Sequence, residues 1–141
     1  MSKSQPEKKP NTGAEVVTVR PEADGRLPQN LPFFAGVSRQ TAGSRGISMY
    51  KVVIPPGAAA EPHRHVKFET AIYVLKGKVE TRYGPGLKKS VINQAGDFIF
   101  IPPDLPHQPV NLSDTEAAEA IVARNDAIES ETVEPYDPKS E

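Results

Sequence analysis

Short runs of β-branched and aromatic residues, separated by proline and glycine, recur along most of the chain. They predict strands at Ile47–Ile54, His63–His65, Thr70–Lys76, Lys78–Tyr83, Lys89–Ile92, Asp97–Ile101, Pro106–Asn111 and Ala117–Arg124. The 15 prolines and 10 glycines are too many for a helical bundle and are typical of the turns in an antiparallel β-protein. The pattern therefore predicts an all-β domain, either a sandwich or a barrel.

The ends of the chain differ in composition from the middle. With 141 residues, the chain is long enough for one domain with a core of modest size. We expect residues 1–15, which are polar and rich in lysine and proline, to be a disordered tail, and residues 16–125 to form the single β-domain. Residues 126–141 are acidic and predict a solvated tail. The alternative is that Thr132-Val133-Glu134 adds a strand to a dimer partner.

The charges are nearly balanced, with 17 basic and 18 acidic side chains and a formal net charge of -1. Since the chain has no basic stripe and no apolar run long enough to cross a bilayer, we expect neither a nucleic-acid nor a membrane partner. The first ten residues lack the apolar stretch of a secretory signal, and we expect a cytoplasmic protein. The absence of cysteine excludes disulfides, thiolate ligands and a cysteine nucleophile.

The three histidines of the chain are placed as a metal site requires. His63 and His65 are two positions apart in a predicted strand, so their side chains point to the same face, roughly 6.6 Å apart along the backbone. Two imidazoles at this spacing can bind one ion. His107 lies far downstream, and only a folded sheet brings it to the pair. A His-x-His pair alone is a weak signal, so the surrounding residues decide its meaning.

Two stretches around the histidines have the spacing of a known pair of motifs. The first combines a glycine, His-x-His and a glutamate, and its residues here are Gly57, His63, His65 and Glu69. The second combines a glycine, a proline, a histidine and an asparagine, and its residues here are Gly96, Pro102, His107 and Asn111. Over about residues 46–124 the chain resembles the cupin superfamily. This resemblance implies a small antiparallel β-barrel, or double-stranded jelly roll.

The resemblance implies that one divalent transition metal (iron, manganese, nickel, cobalt or zinc) is bound by His63, His65, Glu69 and His107. One departure concerns Glu69, which is followed by seven residues before Gly77 where the motif has six. Counted back from Gly77, the ligand position is Thr70, which faces the opposite side of a regular strand. Glu69 reaches the metal only if a bulge absorbs the extra residue. The rival arrangement is a site of three histidines with Glu69 outside it.

The second departure is Asp104, which stands where the second motif usually has glycine. This position lies in a turn between two predicted strands. Because aspartate tolerates the left-handed backbone conformation better than most residues, we expect the substitution to be harmless.

Apolar residues of the predicted strands surround the site and indicate a narrow pocket. Phe98 and Phe100 share one face of their strand while Ile99 and Ile101 share the other, and both faces are apolar. Phe33 and Phe34 are candidates to cover the mouth. Our candidate pocket residues are Phe98, Phe100, Ile72, Val74, Met49 and Gln108.

The histidines and the resemblance together favour a metal-dependent enzyme of the dioxygenase type that acts on a small organic molecule. Three imidazoles and one carboxylate leave open positions on an octahedral ion. Two alternatives stay open: a redox-inert, metal-dependent isomerase or lyase, and a non-catalytic module that binds or senses a small molecule. Cupins commonly dimerise, and we expect a homodimer in which the segment Leu27–Ala42 is exchanged between protomers.

Overall fold

The computed structural model describes residues 15–21, 25–26, 30–128 and 133–140. The predicted N-terminal tail therefore lies almost entirely outside the described residues. Within the described ranges, no helix is both long enough and apolar enough to cross a membrane. The helix α1 spans Arg39–Ala42, and the strands are β1 (Gly25–Arg26), β2 (Pro32–Val37), β3 (Ser48–Ile54), β4 (His63–Arg64), β5 (Thr70–Lys76), β6 (Lys78–Tyr83), β7 (Lys89–Gln94), β8 (Phe98–Ile101), β9 (His107–Asn111), β10 (Ala118–Arg124) and β11 (Glu134–Pro135).

These strands form two antiparallel sheets. Six strands make one sheet in the order β1-β2-β3-β10-β5-β8, and five make the other in the order β11-β4-β9-β6-β7. Every strand predicted from the sequence is present, and its ends differ by no more than about two residues, as is usual for strand boundaries. The prediction of an all-β jelly-roll barrel is confirmed.

The core lies between the two sheets. In β3 and β10 every second side chain is buried, because alternate side chains of a strand point to opposite faces. Burial of these apolar side chains contributes roughly 25 cal/mol for each Å² removed from water and is the main force that closes the barrel. Two of the buried alternate positions hold polar residues, Ser48 of β3 and Arg124 of β10.

The segment Leu27–Ala42, predicted to be exchanged between protomers, pairs with its own chain over its described part. In β2, Phe33 lies opposite Val52 of β3. The ring of Phe33 is in the core and contacts the ring of Tyr50 edge-on, with the ring centroids 6.0 Å apart. β2 therefore has its pairing partner, β3, within the same chain. Residues 27–29 of the segment lie outside the described residues.

The C-terminal segment returns to the barrel. Asp126 and Ala127, at the start of the predicted acidic tail, are buried. Further on, Glu134–Pro135 pairs with His63–Arg64 as the short strand β11. Residues 129–132, which include part of the segment predicted to join a dimer partner, lie outside the described residues. Its described part joins the five-stranded sheet of the same chain.

The turn between β8 and β9 positions the loop that carries His65. Asp104 has a φ of 66°, the left-handed conformation that we expect of an aspartate in place of glycine. Its backbone N–H donates to the carbonyl oxygen of His65 at 2.9 Å, and its carboxylate accepts from the backbone N–H of Lys67 at 3.2 Å. The turn therefore holds the end of the His-x-His segment beside the start of β9.

Candidate metal centre

Strand pairing brings the three histidines together. His63 on β4 lies directly opposite His107 on β9, and His65 follows two positions later on the same inward face. The ring centroids of His63 and His107 are 4.4 Å apart, those of His63 and His65 are 5.0 Å apart, and those of His65 and His107 are 5.4 Å apart. One potential ligand atom of each lies within 4.8 Å of those of the other two, and all three side chains are buried. In the described part of the chain, no carboxylate joins this group.

Backbone carbonyls orient two of the imidazoles. Nδ1 of His63 lies 2.7 Å from the carbonyl oxygen of Glu61, and Nδ1 of His107 lies 2.9 Å from that of Leu105. Because a carbonyl can only accept, each Nδ1 carries the proton and donates it. The lone pair of each ring is then on Nε2, the arrangement that metal-binding histidines adopt. The side chain of Glu61 itself is exposed.

The environment keeps these imidazoles neutral. Burial, followed by the charges of His107 and Arg124, lowers the pKa of His63 to about 3, against the opposing hydrogen bond to Glu61. Burial also lowers the pKa of His107, with a further contribution from Arg124. Neutral imidazoles keep the lone pairs that a metal requires. The residues therefore fit a metal ion.

The donor set also indicates which kind of metal site this is. Three imidazoles suit iron, nickel, cobalt and zinc, and manganese where oxygen ligands complete the coordination. A structural zinc site would close with four protein ligands. Since the group contains three histidines and no carboxylate among the described residues, an ion bound here would keep open positions.

Glu69 and Thr70 point away from each other at the start of β5. Both residues border a groove on the outer surface, but Thr70 is 3% exposed and also lines the cavity at the histidines, whereas Glu69 is exposed and does not line that cavity. β5 contains one irregularity in its pairing with β10, where the step from Ala120 to Glu119 lies opposite the two steps from Val74 to Lys76. This bulge lies beyond Thr70, and the pairing with β8 is regular from Thr70 opposite Ile101 to Tyr73 opposite Phe98, so it does not turn Glu69 inward. The geometry corresponds to the rival arrangement, a site of three histidines with Glu69 outside it.

A cavity of about 60 Å³ lies between the sheets, against the histidines. Sites for drug-sized ligands measure roughly 300–1,000 Å³, so this cavity suits a metal ion and a ligand of a few heavy atoms. Its wall is mostly apolar. The cavity-lining residues other than the histidines are Leu31, Tyr50, Val52, Ile54, Thr70, Ile72, Val74, Val79, Thr81, Ile99, Ile101, Pro109, Ala120, Val122 and Arg124.

The structure places the six candidate pocket residues in different environments. Ile72 and Val74 line the cavity. Phe98 and Phe100 point outward and are 82% and 59% exposed, and Ile99 and Ile101 take the inward positions instead. Met49 lies on the outer face, and Gln108 donates from Nε2 to the carbonyl oxygen of Ala60 at 3.0 Å. Because both faces of β8 are apolar, alternation alone does not show which face turns inward.

Arg124 and Tyr50 are cavity residues that sequence reasoning misses. Nε of Arg124 donates to Oγ1 of Thr70 at 3.1 Å, and Nη2 donates to the phenolic oxygen of Tyr50 at 3.3 Å. Burial lowers the pKa of Arg124 to about 10, while the charge of Asp126 raises it, so the guanidinium is charged at neutral pH. The sequence contains one indication of this position. In the alternation of β10, Arg124 falls on the same face as the buried Ala118, Ala120 and Val122.

Solved structures with a similar fold support the barrel architecture. The chain is similar to a cupin 2 conserved barrel domain protein from Salinispora arenicola CNS-205, with 25% identity and a TM-score of 0.65, over 80% of this chain and 92% of that one. It is also similar in fold to an oxalate decarboxylase from Lactobacillus farciminis, solved as a formate complex. Here the identity is 23% and the TM-score 0.64, over 79% of this chain and 32% of that one.

Comparison with sequences identifies the family. The chain is 34% identical over 114 residues to germin-like protein subfamily T member 3 of Arabidopsis thaliana, covering 77% of this chain and 47% of that protein. The chain thus spans about half the length of the curated relative that it matches. A family model described as a cupin domain matches residues 50–124. Because this match includes all three histidines and more than half of the chain, the protein belongs to the cupin family.

Proposed function

We propose that this cupin is a metal-dependent enzyme of the dioxygenase type that converts a small organic molecule inside the barrel. The observation that supports this proposal most is the group of three buried histidines, each of which has one ring nitrogen within 4.8 Å of those of the other two. A purely structural site would not need to place such a group against a cavity. The same group stands at the wall of a space that admits only a few heavy atoms.

The residues of the chain have separate tasks in this proposal. His63, His65 and His107 hold the metal, and the carbonyls of Glu61 and Leu105 fix the orientation of two of the rings. The apolar walls exclude bulk water, which strengthens electrostatic interactions inside the cavity. A bound divalent transition metal would supply Lewis-acid or redox chemistry at its open coordination positions.

One feature of the cavity favours oxygen-dependent chemistry over isomerisation or lyase chemistry. Among the described residues, no aspartate or glutamate lines the cavity. An isomerase without redox chemistry needs a group that takes and returns a proton, and carboxylates or histidines usually serve. Here the histidines are assigned to the metal, which leaves the hydroxyl of Tyr50 as the remaining cavity group of this kind. A dioxygenase adds both atoms of dioxygen to the organic substrate, so its reaction balances without an external reductant.

The metal content of purified protein without an affinity tag tests the first part of the proposal. We expect about one equivalent of iron, manganese, nickel or cobalt in the wild type, and less than about a tenth of this in His107→Gln, because two remaining imidazoles hold an ion far less tightly. Glu69→Gln is the matched control and should retain the full equivalent. Equal loss in both variants would restore Glu69 as the fourth ligand. Substoichiometric metal in all proteins after reloading would contradict the metal site.

Oxygen consumption by the reloaded protein tests the second part. With a panel of small organic acids and alcohols, we expect at least one compound to cause oxygen uptake that His107→Gln lacks. Turnover of a compound without oxygen uptake would instead favour the isomerase or lyase alternative. A compound that binds and is recovered unchanged would favour a sensing role.

A further inference from the structure

A positive charge stands inside the apolar cavity. Arg124 is 3% exposed, lines the cavity together with the three histidines, and comes from the neighbouring six-stranded sheet. Its guanidinium shares one cavity with the three imidazoles, so its charge lies beside the metal site. A cation beside a metal site weakens the binding of the metal unless a negative group compensates for it.

The two hydroxyl groups bound to Arg124 have protons to donate. Oγ1 of Thr70 and the phenolic oxygen of Tyr50 each accept one hydrogen bond from the guanidinium. Within the described residues, neither hydroxyl donates to a protein acceptor, although both side chains are buried. A hydroxyl that accepts from a cation becomes a stronger donor. Two such donors therefore line one cavity, next to the guanidinium that polarises them.

The charge balance of the loaded site also calls for an anion. A divalent ion on three neutral imidazoles adds two positive charges to that of Arg124. Asp126 is the buried carboxylate among the described residues, and it balances at most one of these charges. Excess buried charge is costly in a cavity with apolar walls. A negatively charged ligand would remove this cost.

We propose that Arg124, Tyr50 and Thr70 form a carboxylate-binding subsite in the cavity, and that the substrate is a small carboxylic acid. This inference rests on the proposed function, since the subsite is part of the same cavity as the metal site. The carboxylate accepts hydrogen bonds from the hydroxyls of Tyr50 and Thr70 and is attracted by the guanidinium, and the rest of the molecule extends toward the histidines. A cavity of about 60 Å³ limits that molecule to a few heavy atoms.

The test compares acetate with acetamide, which has the same shape but no charge. Isothermal titration calorimetry on the metal-loaded wild type should show acetate binding at least about tenfold more tightly than acetamide, as expected for hydrogen bonds to a charged group. Arg124→Gln should weaken acetate binding by at least about 30-fold and leave acetamide binding within about twofold. Arg82→Gln, which changes an arginine paired with Glu80 on the surface, should bind acetate like the wild type.

A second pair of variants covers the case in which Arg124→Gln does not fold. Tyr50→Phe keeps the buried ring but removes the hydroxyl, and it should weaken acetate binding by about tenfold. Tyr73→Phe removes a phenolic hydroxyl from the outer face of β5, where the ring contacts that of Phe98, and should have no effect. Circular dichroism should show that both variants are folded.

The outcomes separate this inference from the metal site. If Tyr50→Phe and every folded Arg124 variant bind acetate like the wild type, the metal alone holds the anion and the subsite is refuted, while the proposed function stands. If the wild type does not prefer acetate over acetamide, the subsite is refuted as well. If the protein takes up no metal, the proposed function fails. A preference for acetate in the metal-free protein, lost in Tyr50→Phe, would still support the subsite.

Discussion

At the scale of single residues, Asn111 shows how a motif residue can matter without touching the metal. Its side chain is buried, and its amide nitrogen donates to the carbonyl oxygens of Ile54, Pro55 and Glu116 at 3.0, 3.2 and 2.8 Å. Its side-chain oxygen accepts from the backbone N–H of Ser113 at 2.9 Å. One side chain at the end of β9, the strand that carries His107, therefore binds the backbone of the β3–β4 connection and of the β9–β10 connection.

We expect Asn111→Ala to reduce the free energy of unfolding by about 2–4 kcal/mol, because it removes the hydrogen bonds of a buried side chain to two connections, including the one to the carbonyl oxygen of the buried Ile54. Urea unfolding of the metal-free protein, followed by circular dichroism, measures this loss. Asn93→Ala is the matched control. The amide nitrogen of Asn93 makes one long hydrogen bond of 3.4 Å, to Asp97, and its side-chain oxygen has no partner. The control should lose less than about 1 kcal/mol. Equal losses in both variants would contradict the role assigned to Asn111.

The residue scale also shows what the sequence can predict about the site. The three histidines and Asp104 follow from spacing and from one turn preference, which are local properties of the chain. The environment of Arg124 is not local. It depends on the pairing of β10 with both β3 and β5, which brings Tyr50 and Thr70 beside it. The orientation of Glu69 likewise depends on where β5 absorbs its extra residue, which the sequence does not show. The register shift lies between Val74 and Lys76, beyond Thr70, and Glu69 stays outside.

At the scale of elements, the short strand β11 protects the strand that carries His63. β4 would form an edge of the five-stranded sheet if Glu134–Pro135 did not pair with it. The following residue, Tyr136, donates from its backbone N–H to the carbonyl oxygen of Pro62 at 3.1 Å. Its hydroxyl accepts from the backbone N–H of Gly86 at 2.7 Å. The C-terminal segment thus links β4 to the turn after β6.

We expect Tyr136→Ala to increase local opening of β4. Loss of the side-chain contact at Gly86 removes about 1 kcal/mol, which corresponds to amide hydrogen exchange about fivefold faster in the peptide that contains His63–His65. Mass spectrometry after deuterium labelling measures this rate in the presence and absence of metal. Lys139→Ala, which changes an exposed side chain in the same segment, should leave the rate unchanged. Exchange at the wild-type rate in both variants would refute the claim that Tyr136 stabilises β4.

Strand positions were more predictable than strand faces. Hydrophobic alternation and turn residues located β3 to β10, because both are short-range signals. The strands β2 and β11 were not predicted as parts of the chain's own barrel, since their pairing partners are set by long-range packing. On β8, alternation separates Phe98 and Phe100 from Ile99 and Ile101 but does not orient two apolar faces.

At the scale of the whole molecule, the outer face of the six-stranded sheet is unusually apolar. Its exposed side chains include Phe98, Phe100, Met49 and Leu75, and β8 forms one edge of this sheet. Monomeric proteins rarely expose contiguous apolar patches of this kind, whereas contacts between protein molecules commonly bury them. This surface is a better candidate for the expected homodimer contact than the segment Leu27–Ala42, of which the described part already pairs with its own chain.

We expect the protein to sediment as a homodimer at micromolar concentration, with twice the 15.3 kDa mass of one chain, because a second copy would cover this apolar face. The double variant Phe98→Ser/Phe100→Ser should sediment as a monomer and keep the far-ultraviolet circular dichroism of the wild type. The matched control is Val91→Ser/Ile92→Ser, which changes two exposed apolar residues of β7 in the other sheet and should remain a dimer. Dissociation of the control alone would place the contact on the five-stranded sheet. A wild-type particle of 15.3 kDa would refute the dimer altogether.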